Sequence, residues 1–134
     1  MSTISVRLHQ VRPTTAEVTI RDHKLLIDRP ESKGGGNWGA MGGELLLASL
    51  GGCFMSNLFE VVRSREAPVQ KIQTTVTGTL EGTPPRFTAI ELHVTADYPD
   101  EAEFQKFVTI SERACIVANT LKPAVAITIQ IEKR

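Results

Sequence analysis

Three things are scarce in this sequence, and each scarcity removes a class of function. The first is charge of one sign. Lys and Arg number 15, as do Asp and Glu, so the formal net charge is zero. Such a chain lacks the basic footprint of a nucleic-acid binder or of a protein drawn to an anionic membrane. It is also held away from its own copies only weakly, which permits self-association. The second scarcity is uninterrupted apolar sequence. The longest nearly uncharged run, residues 45–59, is broken by Ser49, Gly51, Gly52, Ser56 and Asn57. It reads as too short and too polar for a membrane span. The start, MSTISVRLHQ, has neither the basic nor the apolar region of a secretory signal. The expectation is a cytoplasmic protein whose thiols stay reduced. The third scarcity is cysteine itself, with two residues, Cys53 and Cys115. Together with His9, His23 and His93 they form no zinc-like spacing, so no metal is expected.

What is present describes one ordinary domain spanning residues 1–134, with 41% hydrophobic and 22% charged residues. Ile4, Val6 and Leu8 alternate with polar neighbours, which predicts a half-buried strand. Ala16, Val18 and Ile20 predict a second, and residues 23–28 a third. Arg21 to His23 is compact enough to join the last two as a hairpin. Residues 30–43, PESKGGGNWGAMGG, hold six of the ten glycines and read as a flexible loop that could close as a lid or wrap a partner subunit. No Gly-Lys-Ser/Thr follows, so the loop is no phosphate cradle.

From Glu44 the pattern turns helical and runs to the solvated EVVRSRE before Pro68. Apolar residues lie on nearly all sides of its first half, which predicts burial all round. Gly51 and Gly52 cost that helix about 1 kcal/mol each relative to alanine. Close approach of another backbone, such as a second copy of the helix, would justify them. Residues 69–81 and 86–98 alternate as an antiparallel hairpin. A helix capped by Asp100 follows, then a short helix over 115–121 and a last strand over 124–131. The pattern is α+β.

Cys53 and Cys115 each allow two readings. Either thiol could be a small core hydrophobe. Alternatively one attacks an oxidant and the other resolves the product. Such chemistry needs a thiolate, a nearby cation, and a second thiol to condense with the sulfenic acid. Candidate cations ahead of Cys53 are Arg7, Arg12, Arg21 and Arg29. Glu44 could orient an arginine, but on a straight helix it lies ~13 Å from Cys53 along the axis and on the opposite face. It therefore serves an irregular helix, a neighbouring subunit's site, or its own helix N-terminus. The histidines sit at strand-like positions and suggest no cysteine–histidine dyad.

ELLLASLGGC (Glu44 to Cys53), followed by CIVANTL (Cys115 to Leu121), resembles the OsmC/Ohr family of osmotically inducible and organic hydroperoxide resistance proteins. The preceding IDRPESKGGGNWGAMGGELL is similar to the approach to the first helix in its smaller members. The resemblance implies an intertwined homodimer with central buried helices enclosed by antiparallel sheets and two active sites at the interface. It also implies thiol-dependent reduction of organic hydroperoxides and hydrogen peroxide, with no metal or organic cofactor and with an external dithiol as reductant. Carried over, Cys53 is the attacking thiol, Cys115 the resolving thiol and Glu44 the acidic residue of a site shared between subunits. Arg21 is the first choice for the activating arginine and Arg29 the second. Ala40-Met-Gly-Gly43 stands where the family often has proline before the acidic residue. Phe54 and Met55 would suit an organic peroxide tail or plain core packing. The competing function is a stress-associated small-molecule binder on the same scaffold.

Overall fold

The elements run β1 (Arg7–Arg12), β2 (Thr15–Ile20), β3 (His23–Ile27), α1 (Gly42–Ser64), β4 (Gln70–Glu81), β5 (Arg86–Asp97), α2 (Glu101–Ala114), α3 (Ile116–Leu121) and β6 (Ala126–Lys133). The computed structural model describes all residues from Met1 to Arg134. Three helices and two three-stranded sheets make a mixed α+β fold. The chain divides into two compact units, Met1–Leu46 and Leu47–Arg134.

The first unit is an antiparallel sheet in the order β1-β2-β3. Leu8 stands opposite Val18, and Val18 opposite Leu25, so one face carries an apolar row. Arg21 and Asp22 form the β2–β3 turn, with Arg21 in the left-handed region at φ 53°. The first strand is not half-buried. Ile4 and Val6 precede it, and every residue of β1 is exposed. Val18 is the one buried hydrophobic residue in the unit, because a small sheet covers little apolar surface by itself.

The second unit holds the hydrophobic core. Leu50, Phe54 and Leu58 of α1 meet Ile90, Leu92, Val94 and Ala96 of β5 and Phe104, Phe107 and Val108 of α2. β4 and β5 form the expected antiparallel hairpin. β6, however, runs parallel to β5, so the sheet is mixed and not purely antiparallel. The reason lies in the connection: α2 and α3 carry the chain back along the sheet, as a parallel neighbour requires. Asp100 caps α2 by accepting the Glu103 N–H at 3.1 Å, and Tyr98 stacks on Phe104 with centroids 4.5 Å apart.

Burial of α1 all round is also not found. Ala48, Ser49, Gly52, Ser56 and Phe59 are exposed, and the buried face consists of Leu50, Gly51, Phe54 and Leu58. A single sheet and one helical layer can cover only one side of a helix. Gly51 has its explanation within the chain, since a Cβ there would lie 2.8 Å from Val76 Cγ2 on β4. Gly52 faces open space. At 23 residues α1 exceeds the apolar run read from the sequence, and by length and composition it is apolar enough to cross a membrane. Its apolar side is used in the core described above.

Candidate thiol site

Cys53 sits in the middle of α1, half-buried, and Cys115 is fully buried at the joint between α2 and α3; both are free thiols. The joint has a local cause. Cys115 adopts an extended backbone, φ −75° and ψ 109°, which ends α2 and starts α3 in one residue. Its N–H donates to Glu112 O at 3.1 Å, closing α2. Its Sγ accepts the Ala118 N–H at 3.4 Å, taking the capping place that serine or aspartate usually fills. Asn119 Nδ2 donates to Arg113 O at 3.0 Å, and Lys122 pairs with Glu112 at 3.3 Å, so the bend is fastened on both sides.

The fold sets the two thiols close enough to influence each other, and the Cys53 side chain acts on the Cys115 thiol. Burial pushes the Cys115 thiol up; the Ala118 N–H pulls it back, the Cys53 side chain and its charge push it further up, and the Val117 N–H opposes them. The net direction is upward, so desolvation outweighs the N–H groups at the start of α3, which favour a thiolate. Cys115 is therefore held as a thiol. The pair is chemically unequal: one thiol partly open, the other closed and protonated.

Of the remaining sequence candidates, Glu44, Arg21 and Arg29 belong to the first unit, and Phe54 and Met55 to the second. Glu44 is exposed in the first turn of α1, where its carboxylate accepts the Met41 N–H at 2.8 Å. That contact is half of a capping box and stabilises its own helix start. Arg21 is exposed at the β2–β3 turn, and its side chain makes no hydrogen bond or ion pair. Arg29 is exposed as well; its N–H donates to Asp28 and its guanidinium has no partner. Phe54 is 1% exposed and belongs to the core, while Met55 is half-buried against it. Neither Phe54 nor any other fully buried core residue can line an open substrate channel.

Asp28 is the polar residue that sequence reading passed over. It is 3% exposed and accepts from the hydroxyls of Thr14 (2.8 Å) and Thr15 (2.9 Å) and from the N–H groups of Arg29 (2.7 Å), Gly36 (3.2 Å) and Trp38 (3.2 Å). Burial raises its carboxyl pKa, but the hydrogen bonds from Arg29, Thr14, Trp38 and Thr15 outweigh that and hold it well below the usual carboxylate range. The glycine-rich segment is therefore no loose loop. It starts with a 3-10 turn at Glu31–Lys33, bridges back through Ala40 to Ile27, and stacks Trp38 under the Arg12 guanidinium at 4.0 Å. Gly39 is required there, because a Cβ would fall 2.1 Å from Leu26 O. Asn57 was also passed over as a site residue; its amide donates to the Cys53 carbonyl at 3.0 Å. The signal available was its spacing, one helical turn after the cysteine.

The chain matches the family described as OsmC-like protein over residues 34–130. No functionally curated protein matches it in sequence. Solved structures resemble it over nearly the whole chain. The OsmC-like protein of Mycoplasma pneumoniae is 18% identical with a TM-score of 0.85, covering 98% of this chain and 97% of that one. An organic hydroperoxide resistance protein of Legionella pneumophila is 21% identical with a TM-score of 0.75, covering 98% of both chains. The organic hydroperoxide resistance protein OhrB of Bacillus subtilis is 18% identical with a TM-score of 0.68, again covering 98% of both. At these identities the structures speak for the fold. The family match spans both the helix that carries Cys53 and the joint that carries Cys115, and the chain belongs to the OsmC/Ohr family.

Proposed function

We propose that this protein is a cysteine-based peroxidase that reduces organic hydroperoxides, and hydrogen peroxide, with electrons from an external dithiol. One observation carries the reading: a half-buried Cys53 that acts on a fully buried Cys115 held as a protonated thiol. The Cys53 thiolate attacks the distal peroxide oxygen, the O–O bond breaks, and the alkoxide leaves and takes up a proton as the alcohol. Sulfur is oxidised to the sulfenic acid and the peroxide is reduced. Cys115 then attacks the Cys53 sulfur, its proton leaves with the hydroxyl as water, and a Cys53–Cys115 disulfide forms. A dithiol, itself oxidised to a disulfide, returns both thiols by exchange. Burial protects Cys115 from direct oxidation and reserves it for this second step. No metal or organic cofactor enters the cycle.

In the same reading the active form is a homodimer in a reducing, cytoplasmic setting. What supports the dimer is the exposed apolar row of Leu8 (55% exposed) and Leu25 (37%) beside Val18, and the open face of α1 at Gly52. Arg21, with its unengaged guanidinium, is the proposed activating cation, and Arg29 the second candidate. Glu44 is proposed to orient that cation, in competition with its capping role. Consumption of cumene hydroperoxide with excess dithiothreitol tests the activity. Wild type should turn over, Cys53→Ser should lose activity to background, and Arg21→Ala should fall by about 10²-fold, the scale for one electrostatic group. Equal consumption by wild type and Cys53→Ser would remove the claim.

A further inference from the structure

Cys115 holds a structural post apart from the chemistry proposed for it. It is the single residue that ends α2 and starts α3, with its backbone extended. It is the N-cap of α3, and its Sγ accepts the Ala118 N–H at 3.4 Å. Sulfur is a weak acceptor beside the oxygen of the serine, aspartate or asparagine usual at this position. The helix it caps can spare little. With six residues, Ile116–Leu121, α3 is far below the length at which a helix holds itself in water. Ala118 is its one fully buried residue, and Ile116 is 64% exposed. Its side-chain ties to α2 come from its far end, through Asn119 to Arg113 O and Lys122 to Glu112. α1, by contrast, is 23 residues long and anchored by Leu50, Phe54 and Leu58, each fully buried.

We propose that this cap makes α3 a redox-sensitive gate: the Cys115 thiol holds the helix start closed, and a Cys53–Cys115 disulfide withdraws the cap, frays the first turn of α3 and opens the bond to its reductant. The gate rests on the peroxidase reading, which supplies the disulfide. Two free thiols stand no closer than van der Waals contact, whereas a disulfide holds its sulfurs about 2.0 Å apart at a preferred dihedral. One side must therefore move as Cys115 Sγ bonds to Cys53 and the hydroxyl leaves as water with the Cys115 proton. α1 is fixed by its core contacts, so the short, lightly packed α3 gives way. The sulfur is then placed by Cys53 and no longer by Ala118. The Ala118 N–H loses its acceptor, and Ile116, Val117 and Ala118 have no polar side chain to replace it. The two redox states need opposite things. A reduced Cys115 is spared direct oxidation by being sealed, but exchange requires a thiolate to reach a sulfur of the disulfide. Attack on Cys53 would expel Cys115, whose thiolate burial disfavours. With α3 frayed, the dithiol can instead bond to Cys115 and release Cys53 as a thiolate. Its second thiol then displaces Cys115 and closes the dithiol's own disulfide.

The test is hydrogen–deuterium exchange of the full-length protein, read by mass spectrometry over residues 116–121. Wild type is compared reduced, after one equivalent of cumene hydroperoxide, and after diamide, an azo oxidant that takes up two hydrogens as two thiols become a disulfide. The disulfide form should exchange about tenfold faster over these residues than the reduced form, the scale of one lost cap. Dithiothreitol should restore slow exchange, and residues 101–114 of α2 should not change. Reduced Cys115→Ala loses the cap without any oxidation and should exchange as fast as the disulfide form. Cys115→Ser keeps an acceptor and should stay slow with or without diamide. Equal exchange in reduced and disulfide wild type, or slow exchange in Cys115→Ala, would overturn the gate. A disulfide formed with diamide but not with peroxide would remove the peroxidase reading, and its exchange would still decide the gate. No Cys53–Cys115 disulfide with either oxidant would overturn both.

Discussion

At the scale of single residues, the two cysteines differ in burial, and the proposed cycle gives each a role that suits it. Cys53 keeps some surface and Cys115 has none. In a Cys115→Ser variant, one equivalent of organic peroxide should leave Cys53 as a sulfenic acid that dimedone traps, where wild type yields little adduct. Trapping equal to wild type would show that Cys115 resolves nothing. The cysteines were legible because they are scarce and flanked by strong helical patterns. Asp28 was not, since its five donors come from Thr14, Thr15, Arg29, Gly36 and Trp38, and no periodicity links those positions. Its folded carboxyl titrates below the unfolded value of about 3.9. The stability it lends is therefore complete above that pH and drains away as pH falls toward the folded value. Asp28→Asn should lower the melting temperature at neutral pH and flatten its fall in acid. Trp38, the only tryptophan, should report the loosened loop by fluorescence. An unchanged acid limb in the variant would remove Asp28 from that role.

At the scale of elements, caps and close approaches decide the boundaries. Asp100 holds the start of α2 through Glu103 N–H, so Asp100→Ala should cost about 1 kcal/mol in urea unfolding; a change within error would mean that the cap contributes nothing. Gly39→Ala should cost more, because its Cβ would meet the Leu26 carbonyl, which is backbone and cannot rotate away. The hairpin β4–β5 and helix α2 follow from two-residue and 3.6-residue spacing, and both stand where the sequence predicts them. The direction of β6 does not follow from spacing. Alternation in AVAITIQI fits a parallel and an antiparallel neighbour equally, and only the path of α2 and α3 decides between them. The glycine-rich segment misled for a related reason. Glycine reads as flexibility, but here it allows backbones to approach around a buried carboxylate.

At the scale of the whole molecule, the folded chain leaves apolar side chains unmatched. Leu8 and Leu25 on the first sheet and Phe59 on α1 are each at least 37% exposed. The proposed homodimer would cover such surface. Leu8→Glu with Leu25→Glu should therefore shift the species seen by light scattering from dimer to monomer and reduce peroxide turnover with it. A dimer of unchanged affinity would place the interface elsewhere. Family membership was legible from the two cysteine segments and their order. The partial burial of α1 was not, because a sequence shows which residues are apolar and not how many layers will be present to cover them.

The central claim is that Cys53 and Cys115 form one redox couple, and peptide mapping by mass spectrometry tests it most directly. Reduced protein is treated with one equivalent of cumene hydroperoxide, alkylated, and digested without reductant. The account predicts a single cross-linked peptide joining Cys53 to Cys115 within one chain, reversed by dithiothreitol. Recovery of both cysteines as alkylated thiols, with the peroxide unconsumed, would contradict it.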